Sequence, residues 1–174
     1  WTLLAIICLL YGVFAIAAGL SLTGVEKIRA LPIAFQIHAL AGGVVLIFGI
    51  IQFNPAIRTR WLWLHRWGGR IYVTSACVAS VSALINAAFF DVDWLARLSF
   101  ALLGLIWFLA TARGFQLIRK REIGLHREWM LRSFSLSLFF VTFSVWVPAL
   151  AGSGLNKDTA YVIAVTVSWT LNLL

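Results

Sequence analysis

The chain has 174 residues, of which 62% are hydrophobic and only 11% charged. Because a soluble domain carries about 25% charged residues, this composition excludes a soluble globular enzyme and a disordered chain. Two cysteines are too few for a disulfide scaffold. What remains is an integral membrane protein, although 14 basic against 6 acidic residues give it a net charge of +8. A membrane protein has to place that charge outside the hydrocarbon layer.

Six apolar segments are each long enough to cross a bilayer, whose hydrocarbon core of about 30 Å requires roughly 20 helical residues. They predict an all-α, polytopic integral membrane protein, one bundle of six transmembrane helices at about 1–22, 33–53, 67–90, 94–118, 129–151 and 159–174. Pro32 begins the second span, and Asn54 with Pro55 ends it. Residues 91–93 form a polar turn before the fourth.

The two ends of the chain carry few processing signals. The chain begins with Trp1 rather than Met, so we expect its start to have been processed or to be missing. The last span ends without polar flanking residues, so we expect the natural chain to continue. The first apolar run exceeds the 7–15 residues of a signal-peptide core and has no basic segment before it, which favours a retained helix.

The basic residues are distributed unequally between the connectors. The second and fourth connectors, with the adjoining helix ends, carry ten cations against Glu122 and Glu128: Arg58, Arg60, Arg66, Arg70, Arg113, Arg119, Lys120, Arg121, Arg127 and Arg132. The other connectors balance four cations against four anions: Lys27, Arg29, Arg97 and Lys157 against Glu26, Asp91, Asp93 and Asp158. The positive-inside rule therefore predicts that both termini lie in the cytoplasm. Nucleic acid is not needed as a partner, although part of the charge could also bind an anionic group.

Two of the three histidines lie in matching sequences. Leu-His-Arg-Trp at 64–67 and Leu-His-Arg-Glu-Trp at 125–129 are each followed by another arginine, Arg70 or Arg132. Each sequence opens a predicted helix, and the two helices run in the same direction. We therefore expect His65 and His126 at similar depth on the cytoplasmic side. The match indicates a parallel repeat in which spans two and three correspond to spans four and five.

Two imidazoles on facing helices can be the axial ligands of one haem iron. We therefore predict a b-type haem between His65 and His126, with Gly68 and Gly69 leaving room for the ring. Four arginines are placed to bind the propionates as charge-assisted donors: Arg66, Arg70, Arg127 and Arg132. The alternative is that each histidine is an interfacial residue near lipid head groups.

His38 differs from the other two histidines. It lies on the second span among small residues, which let helices or a flat cofactor approach closely. The repeat places Ser99 at the equivalent position, so His38 has no histidine counterpart. We expect either a further haem-binding residue or a hydrogen-bonding residue at a helix contact.

These residues carry a family resemblance. His38-Ala-Leu-Ala-Gly42, Gln52-Phe53, the stretch from Leu64 to Tyr72 and the stretch from His126 to Ser133 resemble the DUF2306 family of bacterial membrane proteins. The resemblance covers about residues 33–135 and the final helix, with Trp169 and Asn172, and it implies a bacterial inner-membrane protein. A more distant similarity is to cytochrome b561, which implies six helices and histidine pairs on helices two/four and three/five. The histidines on helices three and five match that arrangement, whereas the fourth helix has none.

The leading functional hypothesis is a membrane-embedded electron-transfer protein with haem b, with quinone as a candidate partner. One alternative is a non-catalytic accessory or assembly subunit of a larger membrane complex. A second is a transporter of small molecules or lipid head groups. We expect the transporter less, because no predicted span is broken and none contains acidic residues.

Overall fold

The structure, a computed structural model, describes residues 1–23 and 33–174. Those residues form eight helices and no strand. The helices are α1 (Thr2–Gly19), α2 (Ile33–Gln52), α3 (Pro55–Arg60), α4 (Leu62–Phe89), α5 (Trp94–Arg119), α6 (Ile123–Ser137), α7 (Phe139–Ala151) and α8 (Lys157–Leu173). The predicted start of the second span at Pro32 and the charges of Glu26, Lys27 and Arg29 lie outside the described residues.

Side-chain caps begin three of the helices. The Asn54 side chain accepts a hydrogen bond from the Ala56 amide at 2.9 Å and begins α3, a short helix in the second connector that the sequence did not predict. Asp93 begins α5 and Asn156 begins α8 in the same way. A side-chain oxygen at this position satisfies an amide that the first turn leaves unpaired. The polar breaks predicted at these connectors are therefore confirmed.

Four helices are long and apolar enough to cross a membrane: α1, α2, α4 and α5. The pair α6 and α7 counts as a fifth span if its two parts are taken together, but it bends by 41° at Leu138. The last helix, α8, has 17 residues, or about 25 Å at the helical rise. The described residues thus support four or five spans, and the count of six is not confirmed.

The bend at Leu138 overturns the expectation that the fifth span is continuous from Trp129 to Ala151. The Leu138 amide reaches the Ser135 carbonyl at 3.2 Å, three residues back, and the Ser137 hydroxyl donates to the Phe134 carbonyl at 2.6 Å. Such local bonds tighten the final turn of α6 and end its regular ladder. The helix also begins earlier than predicted, at Ile123.

The chain divides into two compact units, Trp1–Ser82 and Ala83–Leu174. In the first unit α1 and α2 pack antiparallel with their backbones in close approach. A β-carbon added to Gly43 would lie 2.6 Å from the Gly12 carbonyl oxygen, and one added to Gly19 would lie 2.7 Å from the Gln36 carbonyl oxygen. Small residues at such contacts let helices pack tightly where lipid provides no hydrophobic drive.

In the second unit polar bonds join the helices at membrane depth. The Thr111 and Ser133 hydroxyls lie 2.7 Å apart between α5 and α6. Thr142 of α7 donates to the Ser168 carbonyl of α8 at 3.0 Å. A cluster of five aromatic rings packs beside them: Phe90, Phe100, Phe139, Phe143 and Tyr161. These bonds satisfy groups that lipid could not.

Large apolar side chains are exposed along the helices of both units. Examples are Leu3, Ile33, Val78, Leu109 and Val145. An extended apolar surface of this kind suits a hydrocarbon solvent rather than water. The chain is therefore a membrane protein whose helices contact the lipid bilayer.

Candidate functional site

His65 is the fourth residue of α4, and the side chain of Gln52 reaches it from the end of α2. The Gln52 amide nitrogen lies 3.0 Å from His65 Nδ1 and 2.9 Å from the His65 carbonyl oxygen, while its oxygen accepts from the Gly69 amide at 3.1 Å. An amide NH₂ can only donate, so Nδ1 of His65 is an acceptor. In the neutral imidazole the hydrogen is then on Nε2.

Gly68 and Gly69 give Gln52 the space that it needs. A β-carbon at Gly68 would lie 2.5 Å from the Gln52 amide and 3.4 Å from the Phe48 ring. At Gly69 the nearest Gln52 atom would lie 3.1 Å away. In this structure the Gln52 side chain occupies the space over these glycines, and that they leave room for a haem ring stays a prediction.

His126 is the fourth residue of α6 and makes the opposite kind of bond. Its Nδ1 lies 2.8 Å from the Gly114 carbonyl oxygen on α5. A carbonyl can only accept, so Nδ1 carries a hydrogen, and in the neutral imidazole Nε2 then presents a lone pair. Metal-binding histidines are held in this way, with the second ring nitrogen donating to a carbonyl or carboxylate.

The helix contacts beside His126 and His65 differ in which helix provides the glycine and which the long side chain. At α2 and α4, a long side chain of the first helix, Gln52, fills the space over Gly68. At α5 and α6, the long side chain is Met130 of the second helix, which covers Gly114 of the first. The sequence match between the two segments therefore extends to their place in the helix but not to the residues that hold each histidine.

Both segments place an arginine over a tryptophan. The Arg70 guanidinium lies 4.6 Å from the centroid of the Trp67 ring, and that of Arg132 lies 5.1 Å from the Trp129 ring. Arg132 also lies 3.9 Å from Glu128, but with 47% and 61% of the two side chains exposed that pair contributes little. Arg66 and Arg127 are exposed as well. All four predicted anion-binding arginines are thus accessible.

His38 lies on α2, and its Nδ1 is 2.8 Å from the Ala79 carbonyl oxygen of α4. Since the carbonyl must accept, this imidazole also presents a lone pair at Nε2, as His126 does. One turn further along the same helix, Gly42 has nothing within 4 Å of where a β-carbon would be. His38 is therefore both a helix contact, as the sequence predicted, and a neutral imidazole with an available Nε2.

The position equivalent to His38 in the repeat is Ser99, which belongs to a structural network. Its hydroxyl accepts from Trp169 Nε1 at 3.0 Å and lies 3.1 Å from the Thr166 hydroxyl. Ser99 therefore joins α5 to α8 and has no histidine-like role.

His38 and His65 belong to the first unit and His126 to the second. That His65 and His126 bind the same iron stays a prediction. Among the described residues, no group of three or more His, Cys, Asp or Glu side chains could hold a metal ion. In the second unit, Asn86 and the Trp107 indole nitrogen are buried and have no hydrogen-bond partner in the described part of the chain.

Sequence reasoning missed the residues that orient the imidazoles. The sequence contained one indication of Gln52, because it is one of three polar residues in a mostly apolar span and lies 13 residues before His65. The carbonyls of Gly114 and Ala79 carried none, because every residue type has a backbone carbonyl.

The profile of one protein family matches most of the chain. The family is DUF2306, described as a predicted membrane protein, and the match covers residues 35–174. This confirms the resemblance drawn from the histidine and arginine motifs. No curated protein and no solved structure shows significant similarity to the chain.

Proposed function

The chain belongs to the DUF2306 family of predicted membrane proteins, and from that premise we propose a membrane-embedded electron-transfer protein that binds b-type haem through His126. One observation carries the proposal: His126 donates its Nδ1 hydrogen to the Gly114 carbonyl at 2.8 Å. This bond orients the ring and raises the basicity of Nε2 as a metal ligand. When bound, a haem iron with an axial imidazole supplies one-electron transfer.

His38 supports the same function. Its ring is held by the equivalent bond to Ala79, and the open space over Gly42 lies beside it on α2. In the neutral form of both rings, Nε2 therefore carries the lone pair that haem iron requires. The exposed Arg127 and Arg132 follow His126 on α6 and suit a carboxylate such as a propionate.

An absorbance spectrum tests the proposal directly. We expect protein purified from a haem-replete host to show a Soret band and His126→Ala to lose it or shift it. His65→Ala separates this site from a haem held by both His65 and His126. Because Nε2 of His65 carries a hydrogen in the tautomer that Gln52 favours, we expect His65→Ala to keep the band, and loss of the band would favour the pair. Absence of the band from the unmodified protein, or an unchanged band in His126→Ala, would contradict haem binding through His126. Quinone as the electron partner stays a prediction.

We also propose six spans, with both termini in the cytoplasm of a bacterium. In the second unit, Asp91 and Asp93 precede α5, whereas Arg119, Lys120 and Arg121 follow or end it. At 26 residues, α5 is about 39 Å long, so these charges are at opposite ends of one span. The positive-inside rule assigns the arginine end to the cytoplasm.

A transporter is the second candidate, and the break at Leu138 favours it. Discontinuous helices at membrane depth often form substrate sites. Here, however, the nearby hydroxyls are bonded within the protein, since Thr142 donates to Ser168 and Ser137 to Phe134. Substrate uptake into proteoliposomes that lack haem would support this candidate over electron transfer. The accessory-subunit alternative stays a prediction that copurification of partner chains would test.

A further inference from the structure

The hydrogen bonds of Gln52 assign a different role to His65 than to His126. Gln52 is only 7% exposed, and its amide meets three polar groups at the start of α4. In one orientation of the amide all three contacts are hydrogen bonds, at 3.0, 2.9 and 3.1 Å. The opposite orientation sets the amide oxygen against the His65 carbonyl and the amide nitrogen against the Gly69 amide. Buried groups without partners are costly, so the first orientation holds.

The contact is built into the backbone of α4. The His65 carbonyl and the Gly69 amide are four residues apart, the spacing of one helical hydrogen bond. The Gln52 amide is hydrogen-bonded to both of these backbone groups and to the His65 ring. The orientation of the Gln52 amide is therefore fixed by backbone groups and not by the imidazole. Because that amide donates to Nδ1 of His65, the neutral imidazole must carry its hydrogen on Nε2.

The arginines near His65 in the sequence indicate the kind of ligand to which its Nε2 hydrogen is donated. Four arginines occupy α3 and the first turns of α4: Arg58, Arg60, Arg66 and Arg70. The described residues of this unit, 1–23 and 33–82, contain no Asp or Glu, so within those ranges these four charges have no carboxylate to pair with. These guanidinium groups, close in sequence to His65, and an imidazole N–H are all donors that suit an anionic oxygen.

We propose that Gln52 is a positioning residue that fixes His65 as an Nε2–H hydrogen-bond donor, and that this donor, with the arginines of α3 and α4, binds a phosphate group. The phosphate could come from a lipid head group or from free phosphate, which share this chemistry. The inference goes beyond haem binding and does not depend on it, because it concerns a different histidine and a different ligand.

The tautomers can be measured by long-range ¹H–¹⁵N NMR on protein with ¹⁵N-labelled histidine in dodecyl maltoside. The chain has three histidines, so one spectrum contains the test and its controls. We expect His65 alone to show hydrogen on Nε2, with His38 and His126 showing hydrogen on Nδ1. His→Asn variants assign the signals. An Nδ1–H signal for His65 in the unmodified protein would overturn the proposal, and no variant needs to fold for that result.

Replacing Gln52 tests its positioning role. In Gln52→Glu a carboxylate can only accept, so we expect His65 to move its hydrogen to Nδ1. The control is Gln116→Glu, at an exposed position of α5, which should leave all three tautomers unchanged. If His65 keeps Nε2–H in a folded Gln52→Glu protein, Gln52 does not determine the tautomer.

Two additions to the same sample test the ligand. We add short-chain phosphatidylglycerol to one portion and inorganic phosphate to another, and follow the Nε2–H resonance of His65. A saturable shift with the lipid alone identifies a head group, and a shift with both identifies phosphate itself. We expect Arg70→Gln to weaken the response several-fold. No shift in either portion would overturn the phosphate site, whereas the Soret band of His126 would be unaffected by that result.

Discussion

Gly43 and Gly12 meet so closely that a β-carbon on Gly43 would lie 2.6 Å from the Gly12 carbonyl oxygen. The neighbouring Gly42 has nothing within 4 Å of its own β-carbon position. Two adjacent glycines of α2 thus differ in one respect only: one faces the backbone of α1, and the other faces open space.

We expect Gly43→Ala to destabilise the protein and Gly42→Ala to leave it unchanged or more stable. Backbone atoms of α1 cannot move aside as a flexible side chain can, so Gly43→Ala should cost about 1–3 kcal/mol. Gly42→Ala should gain up to about 1 kcal/mol from helix propensity. Thermal unfolding in detergent measures both. Equal melting temperatures for the two variants would contradict the packing of α1 on α2.

The bond between Trp169 and Ser99 tests whether α8 is packed into the second unit. Trp169→Phe keeps the ring but removes the hydrogen that the Ser99 hydroxyl accepts at 3.0 Å. We expect a loss of about 1 kcal/mol in the free energy of unfolding. Trp94→Phe is the control, since that side chain is 67% exposed. If both substitutions have the same effect, α8 is not held by this bond.

The sequence predicts much of this fold because hydropathy and caps are local properties. Asn54, Asp93 and Asn156 begin helices where their side chains can accept from the next turn, which can be seen without a structure. The break at Leu138 cannot, because no proline or glycine marks it in the sequence and the bend depends on local hydrogen bonds of the backbone and of Ser137. The matching histidine segments likewise predict two similar sites from local sequence. The tautomer of each ring, however, depends on the hydrogen-bonding group that the preceding transmembrane helix places beside Nδ1. Gln52 and the Gly114 carbonyl differ in exactly that respect: one donates and the other accepts.

Cysteine labelling distinguishes a broken span from a re-entrant segment at α6 and α7. In a protein lacking Cys8 and Cys77, single cysteines are placed at Lys120, after α5, and at Ser153, after α7. If α6 and α7 together cross the membrane, the two positions lie on opposite sides. We expect an impermeant maleimide to label Ser153→Cys on intact cells and Lys120→Cys only after permeabilisation. Labelling of both cysteines from the same side of the membrane would mean that α6 and α7 form a re-entrant segment that does not cross it.

The contact between Gly114 and Met130 can be tested by one substitution and by a second that should reverse its effect. A β-carbon on Gly114 would lie 2.6 Å from the Met130 sulfur, and the Gly114 carbonyl is also the acceptor that orients His126. We expect Gly114→Ala to lower stability by about 1–3 kcal/mol, and to weaken any Soret band by shifting that carbonyl. Because the clash is with a flexible side chain, Met130→Ala in the same protein should restore the orientation of His126 and much of the band. Gly124→Ala is the matched control, since nothing lies within 4 Å of its β-carbon position. A Gly114→Ala protein as stable as Gly124→Ala would contradict the contact, and a double variant no better than Gly114→Ala would show that Met130 is not the cause.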